Sequence, residues 1–308
     1  MSVLTHIVTP EEAGCSVREL LSARFAVSSS LRRQLFCREG AILLNRKAVF
    51  LSTRIAAGDV LTVDVSDPEG SSSVVPADFP LTVLWEDEHL LAVDKLAGIT
   101  VHGAALTEET VTVAGAAAHY LGSTAVHVVN RLDRGTSGVM LLAKNSYMHA
   151  RCMELLHTEN LFRRYLAVCE GVPEPAKGTI DAPIGRDETS LLRRCVREDG
   201  QPAVTEYEVL FVSRGRALVR LLPHTGRTHQ LRVHMAQIGH PLTDDWLYGT
   251  EDKALIARPA LHSCRLRFTH PLTGEVIEVT APLPQDMVQL LETPEGRQGV
   301  IAPEHTSR

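Results

Sequence analysis

Asp133 is the residue whose neighbours best equip it for chemistry. It stands just before Arg134 and two residues after Arg131. The run Arg134-Gly135-Thr136-Ser137-Gly138 suits neither helix nor strand and reads as a loop. That loop enters the apolar strand Val139–Ala143, and Asn145 then stands where a helix cap belongs. Catalytic groups concentrate on loops held by rigid scaffolds. A carboxylate there, with an ordinary pKa near ~3.9, is ionised at neutral pH and can act as nucleophile or base. The plainer alternative is a turn residue paired with a neighbouring arginine.

Other candidate chemistries are less well supported. His224, His229, His234 and His240 cluster in sequence, but His229 and His234 are five apart. They do not share a helix face as i, i+4 ligands do, so no metal site is expected. Six cysteines form no Cys-x-x-Cys pair, which excludes a zinc knuckle or a thioredoxin-like redox pair. There is no P-loop and no dinucleotide-binding glycine fingerprint, and no cofactor is expected. A hydrolase would need a second carboxylate in a comparable motif, and none is seen.

The elements that must position Asp133 follow from pattern and composition. The chain has 308 residues, 44% hydrophobic and 22% charged, which excludes wholesale disorder and fibrous repeats. Residues 67–80 (DPEGSSSVVPADFP) carry no hydrophobic period and read as a linker. This predicts a small domain over 1–66, a larger one over 81–291 and a polar tail over 292–308. In the small domain, Val17–Arg24 reads as a helix. A second helix starts after Ser28-Ser29-Ser30 and ends at Gly40. Strands are expected at 42–44, 49–51 and 60–65. In the large domain, a helix is expected over Thr228–Ile238 with Leu231, Met235 and Ile238 on its apolar face. The opening residues lack a secretory signal, and the run Val139–Ala143 is too short to span a bilayer. A cytoplasmic protein with reduced thiols, and a monomer, is the expectation.

The net charge of −6 speaks at first against a nucleic-acid partner. The charge is segregated, however. Residues 18–54 hold eight basic side chains against two acidic, and residues 209–243 hold five arginines and no acid. The remainder carries 18 basic against 35 acidic residues. Two basic surfaces on an acidic body suit a protein that holds RNA in one orientation.

The order of motifs identifies a resemblance. Arg131-Leu132-Asp133-Arg134, Thr136-Ser137-Gly138 and the apolar strand ending Ala143-Lys144 resemble the RluA-type pseudouridine synthases. Trp85-Glu86-Asp87 through Lys95, Gly98 and Val101-His102 match that family's opening block. Arg163, Tyr165, Ala167 and Gly171 match the next, followed by Gly200, Ala203 and Thr205. Leu222–His234, Gly239-His240-Pro241, Tyr248-Gly249, Ala260-Leu261-His262, His270-Pro271 and Leu283-Pro284 complete a match over nearly all of 81–285. Asn130, Leu96, Asp244 and Arg163 depart from the pattern, where His, Pro, Gly and Lys are usual. Residues 14–66 resemble the small RNA-binding fold named after a ribosomal protein of the small subunit, the S-four-like fold. There Arg46 replaces the usual glycine of an Asn-Gly-Lys turn.

The resemblance implies an α+β fold with a mixed, mostly antiparallel central sheet flanked by helices and loops, plus a small α+β domain. It implies isomerisation of specific uridines to pseudouridine in structured RNA, ribosomal or transfer. Asp133 would be the catalytic carboxylate and Tyr165 would stack on uracil or assist proton transfer. Arg227, by carry-over of the motif, would be the cation that holds Asp133, with the N-terminal end of its helix adding a favourable field. Arg131 and Leu231 would support the site. Arg32, Arg33, Arg38, Arg46 and Lys47 would meet RNA phosphates. The competing reading is a non-catalytic RNA-binding or ribosome-assembly protein that keeps the fold.

Overall fold

Hydroxyl caps start the first two helices. The protein is described by a computed structural model covering residues 2–68, 70, 72–103, 111–156, 158, 160–252 and 255–291. The expected polar tail lies outside the described residues. Strand β1 (Val3–Ile7) leads through a 3-10 turn to helices α1 (Val17–Ala23) and α2 (Ser29–Cys37). Ser16 accepts from the Glu19 amide while Glu19 takes the Ser16 amide, a reciprocal capping box. Of the three candidate serines, Ser28 caps α2. That helix stops at Cys37 rather than at Gly40, because Arg38 already has extended backbone. Strands β2 (Ile42–Leu44), β3 (Lys47–Ala48) and β4 (Val60–Asp64) follow, in the sheet order β1-β4-β2-β3. The third strand thus forms earlier than the expected 49–51. Leu61 and Val63 alternate inward under Val17, Leu20 and Leu21. The Tyr147 ring also enters this core, and its hydroxyl donates to the Phe25 carbonyl at 2.7 Å.

The rest of the chain adds β5 (Thr82–Glu86), β6 (Leu90–Lys95), α3 (Val113–Leu121), β7 (His127–Val128), β8 (Ser137–Ala143) and α4 (Ser146–Leu155). Then come β9 (Leu161–Glu170), β10 (Lys177–Asp181), β11 (Ile184–Arg186), β12 (Arg194–Val196), β13 (Val204–Ser213) and β14 (Arg216–Pro223). Helix α5 (Gln230–Gln237), β15 (Leu261–Thr269), β16 (Val276–Thr280) and α6 (Gln285–Leu290) close it. The main sheet runs β10-β13-β14-β9-β15-β8-β6-β5, with β16 on β15 and β7 on β8; β11 and β12 pair separately. This is the expected α+β, mostly antiparallel architecture. The exception is β8 beside β15, which are parallel through His262–Ser137 and Ser263–Gly138. Gly138 makes that contact possible. It has φ of 108°, and a Cβ there would collide with the Ser263 backbone.

Every residue of β8 is buried, which explains why it reads as a continuous apolar run rather than an alternating one. The described residues of 67–80 have no regular structure but are docked along the body. Asp67 is buried against His127 at 2.6 Å and accepts from the Ser146 amide, and Ala77 donates to the Gly115 carbonyl. Among the described residues, no helix is long and apolar enough to cross a membrane.

Candidate active site

Asp133 lies on the irregular stretch between β7 and β8. Its carbonyl accepts from the Thr136 amide at 3.0 Å, closing the turn that aims the side chain. That side chain is about one-third exposed, so it is held and still reachable. Two side chains at the start of α5 face it. The Arg232 guanidinium is 3.5 Å away and the His229 imidazole 3.8 Å away.

Arg232 is therefore the ion partner, and the expectation of Arg227 is corrected. Helix α5 begins at Gln230, two residues later than the sequence suggests. Arg227 is left on the preceding turn, where it reaches the Pro202 carbonyl at 3.1 Å and the Gln201 side chain at 2.9 Å. The Gln230 side chain locks that turn by accepting from the Arg227 amide and the Thr225 hydroxyl. Arg232, in the first turn of α5, points inward and is only 6% exposed. It forks onto fully buried Asp245 through two bonds of 2.7 Å. A buried guanidinium with two carboxylate partners stays charged, and Asp245 fixes its orientation.

His229 precedes α5 with φ of 58°, a left-handed conformation uncommon for a histidine. Burial pushes its pKa down, against the opposing pull of Asp133. Its Nδ1 is 2.8 Å from the Tyr248 hydroxyl, which also accepts from the Arg194 amide. The hydroxyl proton is then free for Nδ1, leaving the imidazole proton on Nε2, towards Asp133. The Arg232 guanidinium also sits 5.1 Å from the Tyr248 ring centre.

Tyr165 lies on β9 opposite Ser263 of β15. It is buried in one core cluster with Leu132, Leu231 and Met235. Burial pushes its phenol pKa up, so it keeps its proton at neutral pH. Leu231 and Met235 thus occupy the expected inward face, with Ile238 packed beside them. Arg131 is exposed, and its charge adds to burial in lowering the His102 pKa. Behind the loop, Lys95 is almost fully buried and, among the described residues, no carboxylate pairs with its ammonium. It donates to the Leu96, Arg134 and Thr136 carbonyls at 3.0, 3.1 and 2.7 Å. Burial lowers its pKa to about 8, and Asp133 opposes that shift.

The histidines disperse. His224 meets Glu206, His234 meets Thr205 and the Ala182 carbonyl, and His240 meets the Glu170 carbonyl. The arginines of 209–243 are also less free than their sequence suggests. Arg216 pairs with Glu170 and Arg220 with Glu208, acids brought by neighbouring strands. In the N-terminal part, Arg38 is held by Asp64 at 3.3 Å and the Ser66 carbonyl at 2.6 Å. Arg32 donates to the Ser22 hydroxyl. Arg33, Arg46 and Lys47 are exposed.

The family departures have structural readings. Asp244 and Arg46, which stand where glycine is usual, have φ of 58° and 66°. Asn130 is buried and its side-chain Oδ1 accepts from the Leu141 amide at 2.7 Å.

Comparison with known proteins gives a consistent answer. A family model described as RNA pseudouridylate synthase matches residues 89–237. The chain is 39% identical to Uncharacterized RNA pseudouridine synthase YjbO of Bacillus subtilis, over 82% of this chain and 90% of that one. It is 34% identical to Ribosomal large subunit pseudouridine synthase D of Vibrio vulnificus, over 94% of each. Among solved structures, Human RNA Pseudouridylate Synthase Domain Containing 1 superposes with a TM-score of 0.57 at 26% identity, covering 67% of this chain and 84% of that one. The chain belongs to the RNA pseudouridylate synthases, isomerases that convert uridine to pseudouridine in RNA. Within them it is of the RluA type.

Proposed function

We propose that Asp133 is the catalytic carboxylate and that the target uridine lies in ribosomal RNA. The observation that carries the first part is a reachable carboxylate aimed by a buried Arg232–Asp245 pair. The second part draws on the length of the match to a large-subunit ribosomal synthase, with which the chain aligns almost end to end.

In the reaction the bond from ribose C1′ to uracil N1 breaks. The base turns, C5 bonds to C1′, the C5 proton leaves to water and N1 gains a proton. Asp133 serves as nucleophile or base at the sugar or uracil ring. Arg232 and the Nε2 proton of His229 keep the carboxylate aimed. Tyr165, a buried phenol that holds its proton, forms a wall against which uracil stacks. It is suited to donate a hydrogen bond rather than to accept the C5 proton. Extruding the base costs about a few kcal/mol, which Arg131, exposed beside Asp133, helps to offset.

Residues 1–66 act as an S-four-like RNA grip, with 67–80 as a docked connector, 81–291 as the synthase domain and 292–308 as a tail. Arg33, Arg46 and Lys47 meet phosphates, with Arg32 beside them. Arg38 instead braces the module. The protein works as a cytoplasmic monomer.

The test uses ribosomal RNA, from cells lacking the enzyme, labelled with tritium at uracil C5. The wild type releases label to water. Asp133→Asn abolishes release and leaves RNA affinity within about twofold. Turnover by that variant would remove Asp133 from its role, and release from transfer RNA alone would reassign the substrate.

A further inference from the structure

The loop that carries Asp133 is held from behind by a second buried cation, far along the chain. Lys95 takes the Arg134 and Thr136 carbonyls, as described, and the carbonyl between them belongs to Gly135. That one accepts from Arg258 at 3.3 Å. The same guanidinium donates to the Pro259 carbonyl at 3.3 Å and to the Leu261 carbonyl at 3.1 Å. Its other edge forks onto Asp286 of α6, with bonds of 2.7 and 2.9 Å. Arg258 is 8% exposed. Gly135 rests directly on this segment, and a Cβ there would come within 3.0 Å of the Pro259 ring.

A buried guanidinium is costly unless its charge is paired and its donors are used. Here the charge is met by Asp286 and the remaining donors by backbone carbonyls. Only the planar fork of arginine reaches all of these partners at once, whereas an ammonium is a point donor. The partners fall on three pieces of the site. Gly135 is in the Asp133 loop, Leu261 opens β15 two residues before the partner of Tyr165, and Asp286 is on α6.

We propose that Arg258, aimed by Asp286, is a positioning residue for catalysis, making helix α6 part of the frame that holds Asp133. This rests on Asp133 as the catalytic carboxylate. Arg258 touches neither substrate nor the reacting atoms. It sets where the Gly135 carbonyl, and with it the Asp133 turn, sits relative to the Tyr165 wall.

The experiment is single-turnover tritium release with enzyme in saturating excess, on full-length Asp286→Asn and Arg258→Lys. Asp286 is partly exposed, so the isosteric asparagine is expected to fold, with a lowered melting temperature from the lost charge on Arg258. Each variant is expected to lower the rate constant about tenfold, because small misplacements of a catalytic group are costly. RNA affinity should move less than twofold. In the Arg258→Lys background, Asp286→Asn should add little, since the two act as one unit. A merely structural role would lower the melting temperature and the reactive fraction but not the rate constant. Met287→Ala, which loosens the buried face of α6 without touching Asp286, supplies that pattern as a control. Rate constants within twofold of wild type in both variants, or fully additive losses, would overturn the proposal. Release by Asp133→Asn would instead overturn the assignment beneath it.

Discussion

The surroundings of Asp133 and the basic face of the N-terminal module use cations in opposite ways. Behind Asp133, two cations, Lys95 and Arg232, are buried with hydrogen-bond partners. Lys95 sits on three carbonyls and Arg232 on a fully buried carboxylate. On the N-terminal module, Arg33, Arg46 and Lys47 face water, and Arg46 occupies a strained turn. Two exposed rings of the same module, Phe36 and Phe50, lie 6.4 Å apart. The difference fits the roles proposed for each. Aiming a carboxylate requires a frame that does not reorganise during reaction. Gripping a polyanion requires cations that can shed counterions and follow a flexible backbone.

The largest expected effect breaks the catalytic side alone. Asp133→Asn should lower single-turnover release by ~10³-fold or more with RNA binding preserved. Next, Arg232→Gln leaves buried Asp245 without its cation and Asp133 without its ion partner. It should cost ~10²-fold in rate and about 3 kcal/mol in stability, read by urea denaturation. If rate falls while stability holds, Arg232 aims the carboxylate without bearing on the fold.

The third prediction concerns pH. Burial pushes the His262 pKa from 6.5 down to about 4. The native state therefore binds this proton less readily than the unfolded chain. The resulting stability is present above about pH 6.5 and is lost as pH falls towards 4. Between pH 7 and 5, the wild type should lose about 2 kcal/mol more than His262→Gln. Equal losses would mean that His262 is solvated in the native state.

The smallest effect concerns the exposed side. Arg46→Gly should stabilise the protein by about 1 kcal/mol, because glycine accepts the left-handed turn without strain. It should also flatten the salt dependence of RNA binding by about one unit of logarithmic slope. A more stable variant with an unchanged slope would show that Arg46 is not at the RNA.

Much of this was legible in the sequence because local chemistry marked it. Asn145 caps its helix as read, Ser28 is the one of three candidate serines that caps α2, and the strand through Val139–Ala143 and the apolar face of α5 follow their patterns. The choice between Arg227 and Arg232 was not legible. Both are arginines of one short motif, and only the start of α5 at Gln230 decides which turns inward. The charge of 209–243 was misleading for a related reason. Glu170 and Glu208, distant in sequence, sit against its arginines across the sheet. Residues 67–80 read as a linker because they lack a period, yet the Asp67 side chain is buried against His127, sixty residues on, a partner that no nearby residue announces.

The parallel contact between β8 and β15 has a consequence in time as well as in space. It joins Ser137 to His262, 125 residues later, and Arg258 and Asp286 arrive from the same late stretch. Contacts of such long sequence separation close late in folding. A nascent chain that has already emerged through Asp133 still lacks the strand, the arginine and the helix that aim it. On the role proposed for Asp133, a chain cut before Arg258 is expected to release no tritium although it contains the Arg131–Gly138 motif.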